Sequence, residues 1–95
     1  MSEQITVKFF AGVRETTGET MTTVAVDGPD TVTDVLRRLS DVYGPRFRAL
    51  ALDPDGLGDG VIVMVNGQNV RLGLAGDTVL HDGDEVSVFS LIAGG

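Results

Sequence analysis

The chain has 95 residues, 42% of them hydrophobic, a net charge of −7 and no cysteine. That length bounds it to one small domain with a modest core, and no stretch approaches the ~20 apolar residues of a membrane span. The missing cysteines exclude disulfides, thiolate nucleophiles, cysteine-ligated zinc and iron–sulfur clusters; the single histidine excludes a multi-histidine metal site; the acidity argues against a nucleic-acid partner. A partner with a basic docking face would instead be attracted. Ten of the fourteen acids are Asp, six of the seven bases are Arg, and Lys8 is the sole lysine. Asp-rich, Lys-poor surfaces suit proteins working in high salt, where screening weakens self-repulsion, so a halophilic source is expected over an ordinary acidic protein. Met1-Ser2-Glu3-Gln4 lacks the basic and apolar segments of a signal peptide, which makes the cytoplasm the expected location.

Gln4 to Phe10 reads as a strand, with Ile5, Val7 and Phe9 on one face and Thr6, Lys8 and Phe10 on the other. Ala11 to Gly18 reads as a loop or irregular connection. Met21 to Val26 fits a second strand, Thr22, Val24 and Val26 forming one alternating set, and Asp27-Gly28-Pro29-Asp30 breaks it. The one clear helix follows. Thr31 is its N-cap, Asp34 suits the positive end of its dipole, and Val32, Val35, Leu36, Leu39, Val42 and Tyr43 share a side at helical spacing. Gly44-Pro45 stops it. Arg37, Arg38 and Asp41 read as a solvated face, and Arg46-Phe47-Arg48 as a short turn of helix. Leu52 to Gly60 is a long Gly/Asp loop. The apolar run Val61 to Val65 has the mark of a strand buried on both faces, and Asn66-Gly67 is a strong hairpin signal leading into Gln68-Asn69-Val70. Turns at Gly73, Gly76-Asp77 and Asp82-Gly83-Asp84 precede a last strand, Glu85 to Leu91. The order strand, strand, helix, strand, short strand, strand gives an α+β fold with a mixed sheet of about five strands and one main helix across one face. Periodicity alone does not separate this from other small α+β folds. Residues 1–95 are expected to form one domain with a flexible tail from about 90 to 95.

The tail Leu91-Ile92-Ala93-Gly94-Gly95 is the first candidate for chemistry. Without Cβ atoms the two glycines make a thin thread, tipped by a carboxylate, that can enter a narrow active site. Frayed ends are the bland alternative. Asp53, Asp55 and Asp59 fail as an EF-hand because Leu57 and Met64 stand where oxygen ligands are needed. Gly56-Leu57-Gly58-Asp59-Gly60 lacks the Lys-Ser/Thr ending of a phosphate loop. His81 reads as a surface turn residue, and no convergent catalytic constellation is visible. Lys8, the sole side-chain amine, is a candidate acceptor for covalent attachment, against the plainer reading of a solvent-facing strand residue. Phe89, and more weakly Phe10, are candidate docking anchors near strand ends, with core packing as the default.

Several stretches together resemble a known family. Val7 to Gly18 is similar to the opening of the small subunit of molybdopterin synthase. Thr31 to Leu36 is similar to the start of its helix, Val65-Asn66-Gly67 to its hairpin, Asp82 to Val86 to the approach to its last strand, and Ala93-Gly94-Gly95 to its end. The family comprises ubiquitin-like β-grasp sulfur carriers, to which the small archaeal modifier proteins are similar. One departure is Ser90-Leu91, where many relatives carry two prolines. The resemblance implies that Gly95 is the reacting residue, adenylated by an E1-like activating enzyme, with Gly94 the companion that fits that enzyme; Ala93 is expected to be recognised with it along the tail, and the surface around Phe89, Leu91 and Ile92 to dock the same partner. It further implies that Gly95 is then thiocarboxylated from a sulfur donor, for delivery to a molybdopterin precursor or tRNA, or joined to target-protein lysines. The chain would be carrier and not enzyme. It would hold no permanent cofactor, and the activating enzyme would use ATP and magnesium. The alternatives are a dedicated small subunit of molybdopterin synthase without protein conjugation, for which the large subunit of that synthase would be the partner, and a non-covalent β-grasp interaction module.

Overall fold

The structure, a computed structural model, describes residues 3–27, 30–53, 56–57, 60–69 and 78–90. Strict alternation builds β1 (Glu3–Phe10), whose Ile5, Val7 and Phe9 are buried while Thr6, Lys8 and Phe10 are half-buried. A short helix, α1 (Gly12–Thr17), follows at once, and β2 (Met21–Val26) returns antiparallel beside β1, with Lys8 opposite Met21. Then come α2 (Val32–Tyr43), α3 (Pro45–Ala51), the two-residue strands β3 (Leu52–Asp53) and β4 (Gly56–Leu57), β5 (Val61–Val65), β6 (Gln68–Asn69) and β7 (Glu85–Ser90). The main sheet has the order β2-β1-β7-β5-β6. Both outer segments of the chain thus meet in its middle, β1 and β7 running parallel from Thr6 opposite Glu85 to Phe10 opposite Phe89.

Local chemistry fixes the main helix. The Thr31 hydroxyl accepts from the Asp34 N–H at 3.2 Å, and the Asp34 carboxylate accepts from the Thr31 N–H at 2.9 Å. This reciprocal capping box satisfies two donors that would otherwise be orphaned. At the other end Gly44 has φ 94°, a conformation costly for residues with a Cβ, and Pro45 then opens α3. Val32, Val35, Leu36 and Leu39 of α2 join Phe47 of α3, Val13 of α1 and Leu80 in one core with the inward residues of β1, β5 and β7. Phe9, Tyr43 and Phe47 form an aromatic cluster within it, with ring centroids 5.6–6.2 Å apart.

Four expectations are corrected. Ala11 to Gly18 is not a loop but contains α1, held by the buried Val13 and ended by the left-handed Gly18. Val61 to Val65 is not buried on both faces: Val61, Val63 and Val65 are buried, Ile62 and Met64 only half so. Val42 leaves the apolar side of α2 and is 73% exposed, because it lies at the margin of the helical stripe. Arg38 is more than a solvated residue, since it grips Asp30 through two hydrogen bonds of 2.8 and 2.7 Å. The long loop from Leu52 contains the β3–β4 pair, while Asp55, Asp59, Gly73, Gly76 and Asp77 lie outside the described residues. The Asn66-Gly67 hairpin is as expected, both residues at positive φ (51° and 84°), the signature of a type I′ turn.

Candidate functional site

Burying one set of each alternating strand turns the other set to the opposite face of the sheet. Two rows cross that open face. Met21, Lys8, Ser87 and Met64 lie abreast on β2, β1, β7 and β5; beside them Phe10, Phe89 and Ile62 lie abreast on β1, β7 and β5. Phe10 and Phe89 stack with centroids 4.5 Å apart and planes within 9°. Such a pair contributes about 0.5–1.5 kcal/mol beyond its buried area. Neither ring is buried, and Met21 is 48% exposed. The face is therefore apolar without being covered, and the aromatic pair stands one residue before Ser90, where β7 ends.

The start of β7 is bolted to its neighbours. Asp84 accepts from the Asn66 side chain at 3.0 Å and from the His81 N–H at 2.8 Å, while Asn66 accepts from the Glu85 N–H at 2.9 Å. The hydrogen bond from Asn66, then that from the His81 backbone, hold the Asp84 carboxyl below the usual carboxylate range. His81 itself is exposed, and its place in this turn is structural. Lys8 Nζ lies 3.2 Å from Glu85 Oε1, with both side chains well exposed, so the pair contributes at most about 1 kcal/mol.

The sequence-derived candidates therefore divide. Phe89 and Phe10 come together, with Lys8 one row away. Gly95, Gly94, Ala93, Ile92 and Leu91 lie outside the described residues. Sequence reasoning missed Met21, Ile62 and Met64 as members of the same face. The signal was present in Val61 to Val65, where every residue is apolar because the outward set is apolar as well as the inward one. Among the described residues no group of three or more His, Cys, Asp or Glu could hold a metal ion, and no helix is long and apolar enough to cross a membrane.

Residues 7–95 match the ThiS family. The chain belongs to that family, one of ubiquitin-like β-grasp sulfur carriers. It is 40% identical over 94 residues to small archaeal modifier protein 3 of Haloferax volcanii, across 97% of this chain and 99% of that protein. A Haloferax volcanii protein known from its solution structure superposes with a TM-score of 0.85 at 35% identity, covering 99% of this chain and 88% of the other. The crystal structure of SAMP1 from the same organism gives 0.78 at 31% identity, over 97% and 99%. The α+β architecture is thus the β-grasp, and the chain is a small ubiquitin-like carrier of the sulfur-carrier and modifier kind.

Proposed function

We propose that Gly95 is the reacting end of this carrier, adenylated by an E1-like enzyme and then used for both sulfur transfer and protein modification. The observation that carries the reading is the match to the ThiS family through Ala93-Gly94-Gly95. A carboxylate is a poor electrophile. Its attack on the α-phosphorus of ATP, with loss of pyrophosphate, gives a mixed anhydride whose AMP is a good leaving group. A persulfide donor, followed by reduction with a thiol, converts that acyl group to a thiocarboxylate; a lysine amine converts it to an isopeptide. The catalytic groups, ATP and magnesium belong to the partner. Ser90 to Gly95 can span at most ~20 Å, enough for the tip to enter a partner while the globular body docks outside.

The fold supports this division of labour. The last described residue closes an inner strand paired on both sides, a rigid base for the reacting segment. Phe89 with Phe10, continued in sequence by Leu91 and Ile92, is the docking surface for the activating enzyme in this reading.

Two experiments test it. Wild type given activating enzyme, ATP and a sulfur donor gains the mass of one oxygen exchanged for sulfur, and with target proteins it forms lysine conjugates. The chain lacking Gly94 and Gly95 melts as wild type does but gains nothing. Sulfur gain or conjugation by that truncated chain would falsify the assignment of Gly95. Phe89→Ala lowers kcat/KM for activation about tenfold, the loss of one interface anchor, with helix content unchanged. Wild-type kinetics in that variant would remove the surface from the mechanism.

A further inference from the structure

Among the described residues β2 is the long outer strand of the main sheet, paired with β1 on one side only. The Phe9 N–H donates to the Thr20 carbonyl at 2.9 Å, which sets the phase of the β1–β2 ladder. In an antiparallel ladder, pairs that exchange hydrogen bonds alternate with pairs that do not. Thr22, Val24 and Val26 therefore turn their backbone groups toward β1, while Met21, Thr23 and Ala25 turn theirs outward. An outward row of this kind is a template for another strand, and proteins commonly blunt it with lysine, proline or a bulge. β2 has none of these. Its sequence is Met-Thr-Thr-Val-Ala-Val, and its register with β1 is unbroken from Val26 to Met21. We infer that this edge receives an extended, lysine- or arginine-bearing segment of a partner protein, which adds to the sheet as a further strand. Such a partner recognises the carrier without using Gly95.

The main helix makes the edge one side of a slot. Arg38 donates to the Ala25 carbonyl at 3.2 Å, and Tyr43, five residues on, lies within reach of the Thr22 and Glu19 side chains. α2 thus passes β2 in the opposite direction. Val42, one turn after Arg38, stands on the same side of the helix, beside the first half of the strand. Val24 and Tyr43, both packed on the core, line the inside of the slot, and the exposed Val42 and Met21 mark its margins. A strand laid along β2 turns alternate side chains to the two faces of the sheet. One set meets Val24 and Val42; the other lies beside Met21, Thr23 and Ala25. This accounts for an exposed valine on a helix whose other apolar residues are covered.

Charge selects the occupant. Five carboxylates surround the slot, with Glu19 at one end, Asp27, Asp30 and Asp34 at the other, and Asp41 beside Val42. Against them stand Arg37 and Arg38, and Arg38 is already held by Asp30. Two copies meeting edge to edge would bring two such rims together and repel each other. A basic segment is attracted instead. β7 lies two strands away, about 10 Å from β2. A segment held on the edge therefore leaves the Phe89 ring and the end of β7 open to another protein.

The probe is a synthetic peptide of alternating valine and threonine with two lysines at each end, titrated into the isotope-labelled full-length chain. The amide signals of Met21, Thr23 and Ala25 shift and their hydrogen exchange slows, while those of Phe10, Phe89 and Ile62 change little. A peptide with glutamate in place of each lysine binds at least about tenfold more weakly, and molar salt narrows that difference. Val42→Lys, at an exposed helical position, melts as wild type does. It weakens the lysine peptide about tenfold or more, through a lost apolar contact and a gained like charge. Equal affinity for the glutamate peptide, wild-type affinity in Val42→Lys, or no binding at millimolar peptide overturns the inference. Shifts centred on Phe10 and Phe89 overturn it by moving the peptide to the open face. Self-association of the chain through β2 without peptide overturns it by making a second copy the occupant.

Discussion

At the scale of single residues, Asp30 does more than its place in a turn suggests. Its carboxylate takes both fork nitrogens of Arg38 and the Asp27 N–H at 2.7 Å, while its carbonyl accepts from the Leu80 N–H at 2.8 Å. Arg38 also donates to the Ala25 carbonyl at 3.2 Å, so one ion pair ties the end of β2 to α2. The Arg38 hydrogen bonds, then that from Asp27, hold the Asp30 carboxyl below the usual carboxylate range. A depressed folded pKa means that the unfolded chain binds the proton first. The stabilisation is therefore complete above the ordinary Asp value of about 3.9 and is lost as pH falls through the lower folded value. Asp30→Asn should melt below wild type at neutral pH, and the gap should close as both are acidified below about pH 4. Melting curves across that range check it; a gap independent of pH would show that the pair contributes packing and no charge. None of this was legible in the sequence, where Arg38 sits on the polar side of a helix and its partner lies eight residues earlier, before the cap.

At the scale of elements, legibility followed the physics that builds each one. The main helix was readable because its cap, its period and its Gly-Pro stop are all local. Val42 departs from the period because it lies at the margin of the apolar stripe, one position beyond the buried set. The helix after β1 was not readable: Gly12, Thr16 and Thr17 are weak helix formers, and what holds the six residues is the tertiary burial of Val13. The open face was misread for a more informative reason. A strand with apolar residues on both sides has the same sequence whether both sides are buried or one is kept for a partner, so Ile62 and Met64 passed as core. The short helix α3 shows the converse, a fully buried Phe47 between two exposed arginines. Phe47→Ala should cost about 3–5 kcal/mol, which lowers Tm by roughly 12 °C or more in a domain of this size. Val42→Ala should stay within about 0.5 kcal/mol of wild type. Urea unfolding of the two variants decides between them, and similar costs would contradict the packing described for α2 and α3.

At the scale of the whole molecule, charge sets the response to salt, and its sum is written in the sequence while its arrangement is not. Against a net charge of −7, the described ion pairs between full charges are Lys8–Glu85 and Arg38–Asp30. The first is exposed, so screening it loses little; the second is mostly shielded on its acidic side, so salt reaches it poorly. Arg14, Arg37, Arg46 and Arg48 stand exposed on the helices, and Asp82, Asp84 and Glu85 crowd the approach to β7. Self-repulsion among the acids is thus the electrostatic term that salt relieves most, since the screening length shrinks from about 10 Å at 0.1 M to about 3 Å at 1 M. Thermal melts from dilute buffer to molar potassium chloride should show Tm rising throughout. A general salting-out effect would also raise it, so a second arm is needed. Neutralising the exposed Glu15 and Asp41 as Gln and Asn removes repulsion without touching a hydrogen bond given above, and should raise Tm in dilute buffer while flattening the salt slope. Parallel slopes for variant and wild type would mean that charge is not the cause, and a flat or falling Tm in wild type would remove the case for a surface adapted to brine.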